Sequence, residues 1–582
     1  MSVLDRWGPL TAAWLAVAGA LARWLLGTPD PVLRQQLQVL QFWWLELTVW
    51  TGIVLGALVV RAIGTGLSRR DLAAMAGLAA VALSITLFVA PRTNRIYYDE
   101  QIYQGIAQNL ADARRAQMCN DGTVEYGRLE CWSAEYNKQP YAYPHLLSLA
   151  YRAFGVHEGV AFRINAGVAA ATPVVLYMLV IVLFADRTAA FFAGLVLALT
   201  PHQAIWGATA AVEPSASLAC VAALLAAAQF SRTGDGIALG AAAVWSVYAA
   251  QFRTESVLLL PAVGLLVWQH RRSDLARARV WWVALLAFAL MAVHLAHLYG
   301  VRNDSWGSTD ARLSLRYVAQ NFRVNGAFYL ADERYPVLFT LCAVAGLTVS
   351  GIRASRWPLV VYFLGFFGLC LLFYAGSYDY GADVRYSLMT YPPLSVLAGL
   401  GLAGLIRQLE GALPGVAAKP AAVAVLLAQS LLYAPVVRAT TEEAWAARAD
   451  VRFAADVAPA LRGDQYVLTH NPAMFHLWGV NAGQMSMVMA NPSHLEYLRL
   501  RYPGGVYLHW NFWCNVHDQA QREPCTRALA LAPTVPIREH RERDQRFVLY
   551  RFGPAAKAPD ESRMGPFGGP SGSPSSADEH TR

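Results

Sequence analysis

Thirteen apolar segments, of bilayer-spanning length or slightly less, punctuate the chain near residues 9–27, 42–63, 71–90, 160–184, 188–209, 214–230, 236–251, 256–269, 280–299, 336–352, 357–376, 387–406 and 420–437. A run of about 20 apolar residues crosses the hydrocarbon layer as a helix, because only then is every backbone N–H and C=O satisfied within the segment. This spacing excludes one large soluble core and predicts an α-helical polytopic membrane protein. Composition agrees, with 56% hydrophobic and 15% charged residues, against about 25% charged in an average soluble domain. The first segment is Ala-rich behind Arg6 and lacks a clean cleavage site, so it reads as a retained helix and not as a signal peptide.

A net charge of +8 would suit a nucleic-acid partner, but the arginines gather in short loops between apolar segments. "RAIGTGLSRR" (61–70), "QHRRSDLARAR" (269–279) and "RASRW" (353–357) are expected to be cytoplasmic, and no nucleic-acid partner is expected. With thirteen spans, all three fall on one side. The loops 91–159, 300–335 and 377–386, and everything after Arg438, then lie on the other.

The cysteines test this orientation independently. Cys220, Cys342 and Cys370 sit inside apolar segments, where a buried thiol needs no function. Cys119 with Cys131 and Cys514 with Cys525 form two close pairs in segments placed outside, and two disulfides in an oxidising compartment is the natural reading, with four unpaired thiols the alternative.

The domain organisation read from these patterns is two N-terminal helices in 1–70, a membrane domain in 71–438 with its first outer loop at 91–159, a soluble α/β domain in 439–553, and a disordered Gly/Pro/Ser-rich tail in 554–582. "DQYVLTH", "GGVYLHW" and "RFVLYRF" are the expected strands of the soluble domain.

Charged groups near hydrocarbon are costly unless paired, solvated or used, so each is a functional candidate. At the outer edge these are Asp99 and Glu100, Lys138, Glu213, Arg253 with Glu255, and Asp379, Asp383 and Arg385. Carboxylates mixed with cations suit a site that deprotonates a hydroxyl while holding a leaving phosphate. The bland alternatives are a solvated loop for Asp99 and Glu100, a helix first-turn acid for Glu213 ahead of Pro214, and a snorkelling anchor for Arg253. His294 and His297 read as polar packing in the bundle and not as a metal pair.

In order along the chain, "YYDEQIY", "KQPYAYPHLLSLAYRAFGVHEGVAFRINA", "LALTPHQAIWGATAAVEPSASLA" and "RYSLMTYPPLSVLAGLGL" resemble the GT-C superfamily of integral-membrane glycosyltransferases, in the branch of protein O-mannosyltransferases and lipid A aminoarabinose transferases. The resemblance covers about residues 71 to 410. It implies a GT-C fold, a polyprenyl-phosphate-linked sugar donor and an extracytoplasmic active site. Asp99 matches the family's catalytic Asp, and Glu100 completes its acidic pair. Lys138 matches the Lys of a Lys-Pro-Pro segment, which departs here to Lys-Gln-Pro. Glu213 stands at the second acidic position, and Arg385 at the basic residue before a Pro-containing helix. Lys138, Arg253 and Arg385 are thereby implied to hold the donor phosphate.

The implied reaction has Asp99 take the acceptor proton during inverting attack on the anomeric carbon, with Glu213 orienting the acceptor or assisting the base. A divalent metal bridging carboxylate and phosphate is left unassigned, since no dense His cluster has ligand spacing. Protein, lipid A and glycan all stay open as acceptor. A lipid or sugar transporter would also bury charges, but it would show broken helices in paired halves and charges at mid-membrane. A bacterial inner membrane is the expected location, from the lack of recognisable eukaryotic targeting signals and the Ala/Arg-rich bias.

Overall fold

The computed structural model describes residues 3–304, 311–348, 353–379, 383–440, 442 and 444–553. Residues 349–352 of the run expected at 336–352, the tail from 554, and the side chain of Asp383 lie outside the described residues.

Among the described residues, each of the thirteen apolar segments overlaps at least one helix, with 188–209 and 420–437 divided between two and 256–269 beginning as a 3-10 turn. Among the described residues, eight helices are long and apolar enough to cross a membrane unaided, and a bent pair makes a ninth. Gly236–Phe252, Val337–Thr348 and Ala418–Leu432 are shorter apolar helices. The protein is therefore a multi-span membrane protein.

The bent pair is Arg187–Leu199 and Pro201–Gly207, which meet at 61°. Pro201 cannot donate into the preceding turn, so the helix breaks at Thr200. The break turns the chain into the 208–212 loop, where Asn165 donates to the carbonyls of Thr209 and Ala211, each at 2.8 Å. That loop delivers Glu213.

Close helix packing fixes another element of the site. A Cβ at Gly401 would lie 2.0 Å from the Cys342 carbonyl oxygen, and one at Gly346 would lie 2.0 Å from that of Leu397. The helices Val337–Thr348 and Tyr391–Ala412 thus touch backbone to backbone, which only small residues permit in a membrane.

Beyond the bundle lies a seven-stranded mixed sheet, ordered β2-β1-β4-β3-β5-β7-β6. Its strands are β1 (Met118–Glu125), β2 (Arg128–Glu135), β3 (Gln465–Thr469), β4 (Asn481–Gln484), β5 (Gly505–Trp510), β6 (Thr534–Glu542) and β7 (Gln545–Phe552). The three strands read from sequence are β3, β5 and β7. β1 and β2 come from the first long loop, and β1 joins the C-terminal strands antiparallel to β4 through Asp121 opposite Gly483. The β1–β2 hairpin closes on Tyr126 and Gly127, both at positive φ (51° and 76°), the backbone of a tight two-residue hairpin turn. Cys119 and Cys131 are bonded across this hairpin, and Cys514 is bonded to Cys525 below β5.

Candidate active site

Three helix ends and two loops converge at one end of the bundle. Asp99 and Glu100 open the helix Asp99–Ala113, where the exposed N–H groups of the first turn favour negative charge. Two residues earlier Tyr97 has φ of 24°, a strained value for a bulky side chain that persists only when its surroundings impose it. Glu213 likewise opens Glu213–Thr233, with Pro214 in the first turn, where its missing N–H costs nothing. Arg253 caps the C-terminal end of Gly236–Phe252 in an extended conformation. Arg385 sits in the 3-10 turn Asp383–Met389, five residues before Thr390, the cap of the Tyr391–Ala412 helix.

Glu213 is the hub. Its carboxylate, 1% exposed, pairs with Arg253 and stands 3.2 Å from Nε of Arg385. Arg253 also pairs with Glu255. Both guanidinium groups lie against the ring of Tyr386, at 4.7 Å for Arg253 and 5.1 Å for Arg385. Tyr386 therefore holds two like charges side by side through its negative face, a role its sequence neighbourhood did not announce.

Asp99 faces this cluster. Burial pushes its carboxyl up from the ordinary value, while Arg385 first, then Lys138 and Arg253, oppose the shift and Glu213 reinforces it. Lys138 reaches the same region on a turn in which the N–H of Gln139 donates to Oδ1 of Asn137 at 2.9 Å. The Nδ1 of His297 lies 2.8 Å from the hydroxyl of Tyr136, two residues before Lys138. His297 is thus bound into polar packing.

Glu100 is not brought into the cation cluster. It is fully buried and accepts from the backbone N–H of Arg95 at 2.9 Å and of Ala210 at 3.4 Å. It ties the loop before Asp99 to the loop before Glu213. Burial pushes its carboxyl up to about 8, against the lowering effect of those two N–H groups. Asp379 is also elsewhere, paired with Arg334 at 2.7 Å.

Asp99, Glu213 and Glu255 are the carboxylates of this cluster that a divalent cation would have to use. All three already face Arg or Lys, so the residues present fit an anionic headgroup better than another cation. Elsewhere, among the described residues, His470 groups with Cys514 and Cys525, whose sulfurs are bonded to each other.

The raised carboxyl of Asp99 has a kinetic consequence if it must be ionised to act. Turnover should then climb with pH through an acid limb lying above the ordinary carboxyl value of 3.8. A pH–rate profile that is flat, or whose limb sits at or below that value, would remove Asp99 as the base.

A family model described as dolichyl-phosphate-mannose-protein mannosyltransferase matches residues 138–297, which hold Lys138, Glu213 and Arg253. No curated protein matches the chain. Among solved structures, ArnT from Cupriavidus metallidurans superposes with a TM-score of 0.54 at 12% identity, covering 83% of this chain and 98% of ArnT, in a structure bound to undecaprenyl phosphate. Its apo state gives a TM-score of 0.53 at 12% identity, over 82% of this chain and 97% of ArnT. The chain has the GT-C fold. The oligosaccharyltransferase AglB from Archaeoglobus fulgidus is matched over 76% of this chain and 69% of its own at 12% identity, with a TM-score of 0.43 that adds no weight. Within the GT-C fold, the charges of this chain meet at helix ends beside a long first loop, which does not favour the transporter reading.

Proposed function

We propose that the protein is a glycosyltransferase that moves a sugar from a polyprenyl-phosphate-linked donor to an extracytoplasmic acceptor, inverting the anomeric carbon. The observation that carries this reading is a carboxylate, Asp99, at a helix start within electrostatic reach of Arg385, Lys138 and Arg253, beside the ion cluster that Glu213 makes with the two arginines. ArnT, whose fold the chain shares, binds undecaprenyl phosphate, which supports a donor of that class.

A polyprenyl chain enters sideways from the bilayer and keeps its phosphate at headgroup depth. Arg385, Lys138 and Arg253 would take that phosphate, the arginines through paired N–H donors. The acceptor hydroxyl attacks the anomeric carbon, its proton passes to Asp99, and the bond from that carbon to the phosphate oxygen breaks. The electron pair leaves with polyprenyl phosphate, whose charge the cations already hold, so no leaving-group acid is needed. Glu213 holds the two guanidinium groups in register, and Glu100 braces the loop that carries the base. The site faces away from the cytoplasm of a bacterial inner membrane, on the side opposite the Arg-rich loops.

Comparing lipid-linked sugars and surface glycans from cells with and without the gene tests this reading. Loss of the gene should let one polyprenyl-phosphate sugar accumulate and strip that sugar from one extracytoplasmic product. Identical lipid and glycan profiles in the two strains would overturn it.

A further inference from the structure

Immediately before Asp99, the chain leaves the bundle's own core. Tyr98 packs in a hydrophobic cluster whose other buried members all lie between Ala447 and Leu549, among them Phe453, Phe475 and Phe547. Its hydroxyl donates to Asp450, on the helix Trp445–Val457. Asp450 is fully buried, and its other oxygen lies 2.9 Å from Nε2 of His509 on β5, itself fully buried. The far ring nitrogen of His509 is 3.2 Å from the Thr469 hydroxyl on β3. The N–H of Phe512 donates to Asp450 at 3.3 Å, which completes a polar string from the middle of the sheet to the residue beside Asp99.

Aromatic contacts run parallel to this string. Phe512 lies 5.8 Å from the ring of Tyr97 and Trp513 lies 5.9 Å from that of Tyr98. The Cys514–Cys525 bond follows directly and pins this turn to the helix Gln519–Ala530. One turn and a half further along the Asp99 helix, a Cβ at Gly105 would come within 2.6 Å of the Ala473 side chain, so the helix is seated directly on the C-terminal region.

A buried carboxylate is expensive unless its partners are held in good geometry, and a packed Phe in place of Tyr98 with an apolar residue at 450 would serve packing alone. The hydrogen bonds that the Tyr98 hydroxyl and the Phe512 N–H donate to Asp450 fix direction, where apolar contacts only fill, and His509 stands beside the same carboxylate at ion-pair distance. This polar string also accounts for the strained backbone at Tyr97, which must be imposed from outside the loop.

We propose that Tyr98, Asp450 and His509 form a positioning relay through which the C-terminal sheet sets the orientation of Asp99 towards the acceptor. The relay rests on the proposed glycosyltransfer, and its members lie outside the cluster of Glu213, Arg253 and Arg385. The C-terminal region is then part of the catalytic apparatus, and its sheet transmits position to the base.

The test uses the full chain in detergent micelles, with membranes from cells lacking the gene as the source of both donor and acceptor, and reads release of undecaprenyl phosphate. Tyr98→Phe and Asp450→Asn should each lower kcat about tenfold or more, since a misplacement near 1 Å costs up to a hundredfold. Binding of undecaprenyl phosphate alone should stay within about twofold, because the cation cluster is untouched. The double variant should be no slower than the slower single, as expected of groups acting in one string. Amide hydrogen exchange over residues 94–103 should rise in both variants while that of β3 and β5 holds, which separates loss of positioning from loss of the fold. Unchanged kcat in Tyr98→Phe with Asp99→Asn inactive overturns the relay and leaves the reaction standing. Unchanged release in Asp99→Asn removes the reaction itself, and the relay with it.

Discussion

Replacing Asp99 by Asn is expected to cut turnover by about a hundredfold or more while leaving undecaprenyl phosphate bound nearly as before. The amide keeps the shape of the carboxyl but cannot take a proton, and the groups assigned to the phosphate are on other elements: Arg385 in the 3-10 turn, Lys138 in the first loop and Arg253 at a helix end. Arg385→Ala should differ in kind. Its charge would meet the phosphate before and during bond breaking, so both affinity and rate should fall. Binding measured by the ligand's effect on thermal unfolding, set beside turnover, separates the two variants. If Asp99→Asn lost the lipid while Arg385→Ala retained it, the assignments would have to be exchanged and Asp99 read as part of the phosphate site.

Glu213→Gln should be the most destabilising single change in the site, by about 3–5 kcal/mol, the cost of removing one partner from a buried ion cluster. Glu213 is 1% exposed, and the side chains of Arg253 and Arg385 are 16% and 13% exposed. Without the carboxylate two guanidinium groups repel each other across the ring of Tyr386, with Glu255 left as a partner of Arg253. Added undecaprenyl phosphate should recover part of the loss, because its anion can replace the missing charge and ligand binding stabilises the folded state by mass action. The measurement is the thermal unfolding midpoint with and without the lipid. An unchanged midpoint would mean that the cations do not depend on Glu213, and a variant that the lipid fails to stabilise would detach them from the phosphate.

The membrane class and the helices were legible because their determinant is local. An apolar run long enough to span must close its own hydrogen bonds, so a stretch such as 160–184 announces the helix Glu158–Phe184 without reference to the rest of the chain. The two cysteine pairs were legible for a similar reason, with separations of 12 and 11 residues. Asp99, Glu213, Lys138 and Arg385 stood out because charge next to hydrocarbon needs an explanation.

Side-chain direction is not local, and there the sequence was silent. Asp99 and Glu100 are neighbours with the same kind of headgroup, yet successive residues of a helix point about 100° apart. One faces the cations and the other turns inward to the N–H groups of Arg95 and Ala210. Tyr386 became visible only once Arg253 and Arg385, 132 positions apart in the numbering, were seen on one ring. The hairpin of β1 and β2 carries no mark that it will extend a sheet whose other strands begin at Gln465.

The sequence by itself determined that the chain crosses a membrane many times, where its helices run and which charges have to be accounted for, because burial in hydrocarbon is decided segment by segment. Only the tertiary structure decided which of those charges meet, that Glu213 organises two arginines, and that the C-terminal sheet reaches back to Tyr98. Those outcomes depend on contacts between residues hundreds of positions apart, and their geometry is set by the packing of whole elements, such as Gly401 on Cys342 or Gly105 on Ala473.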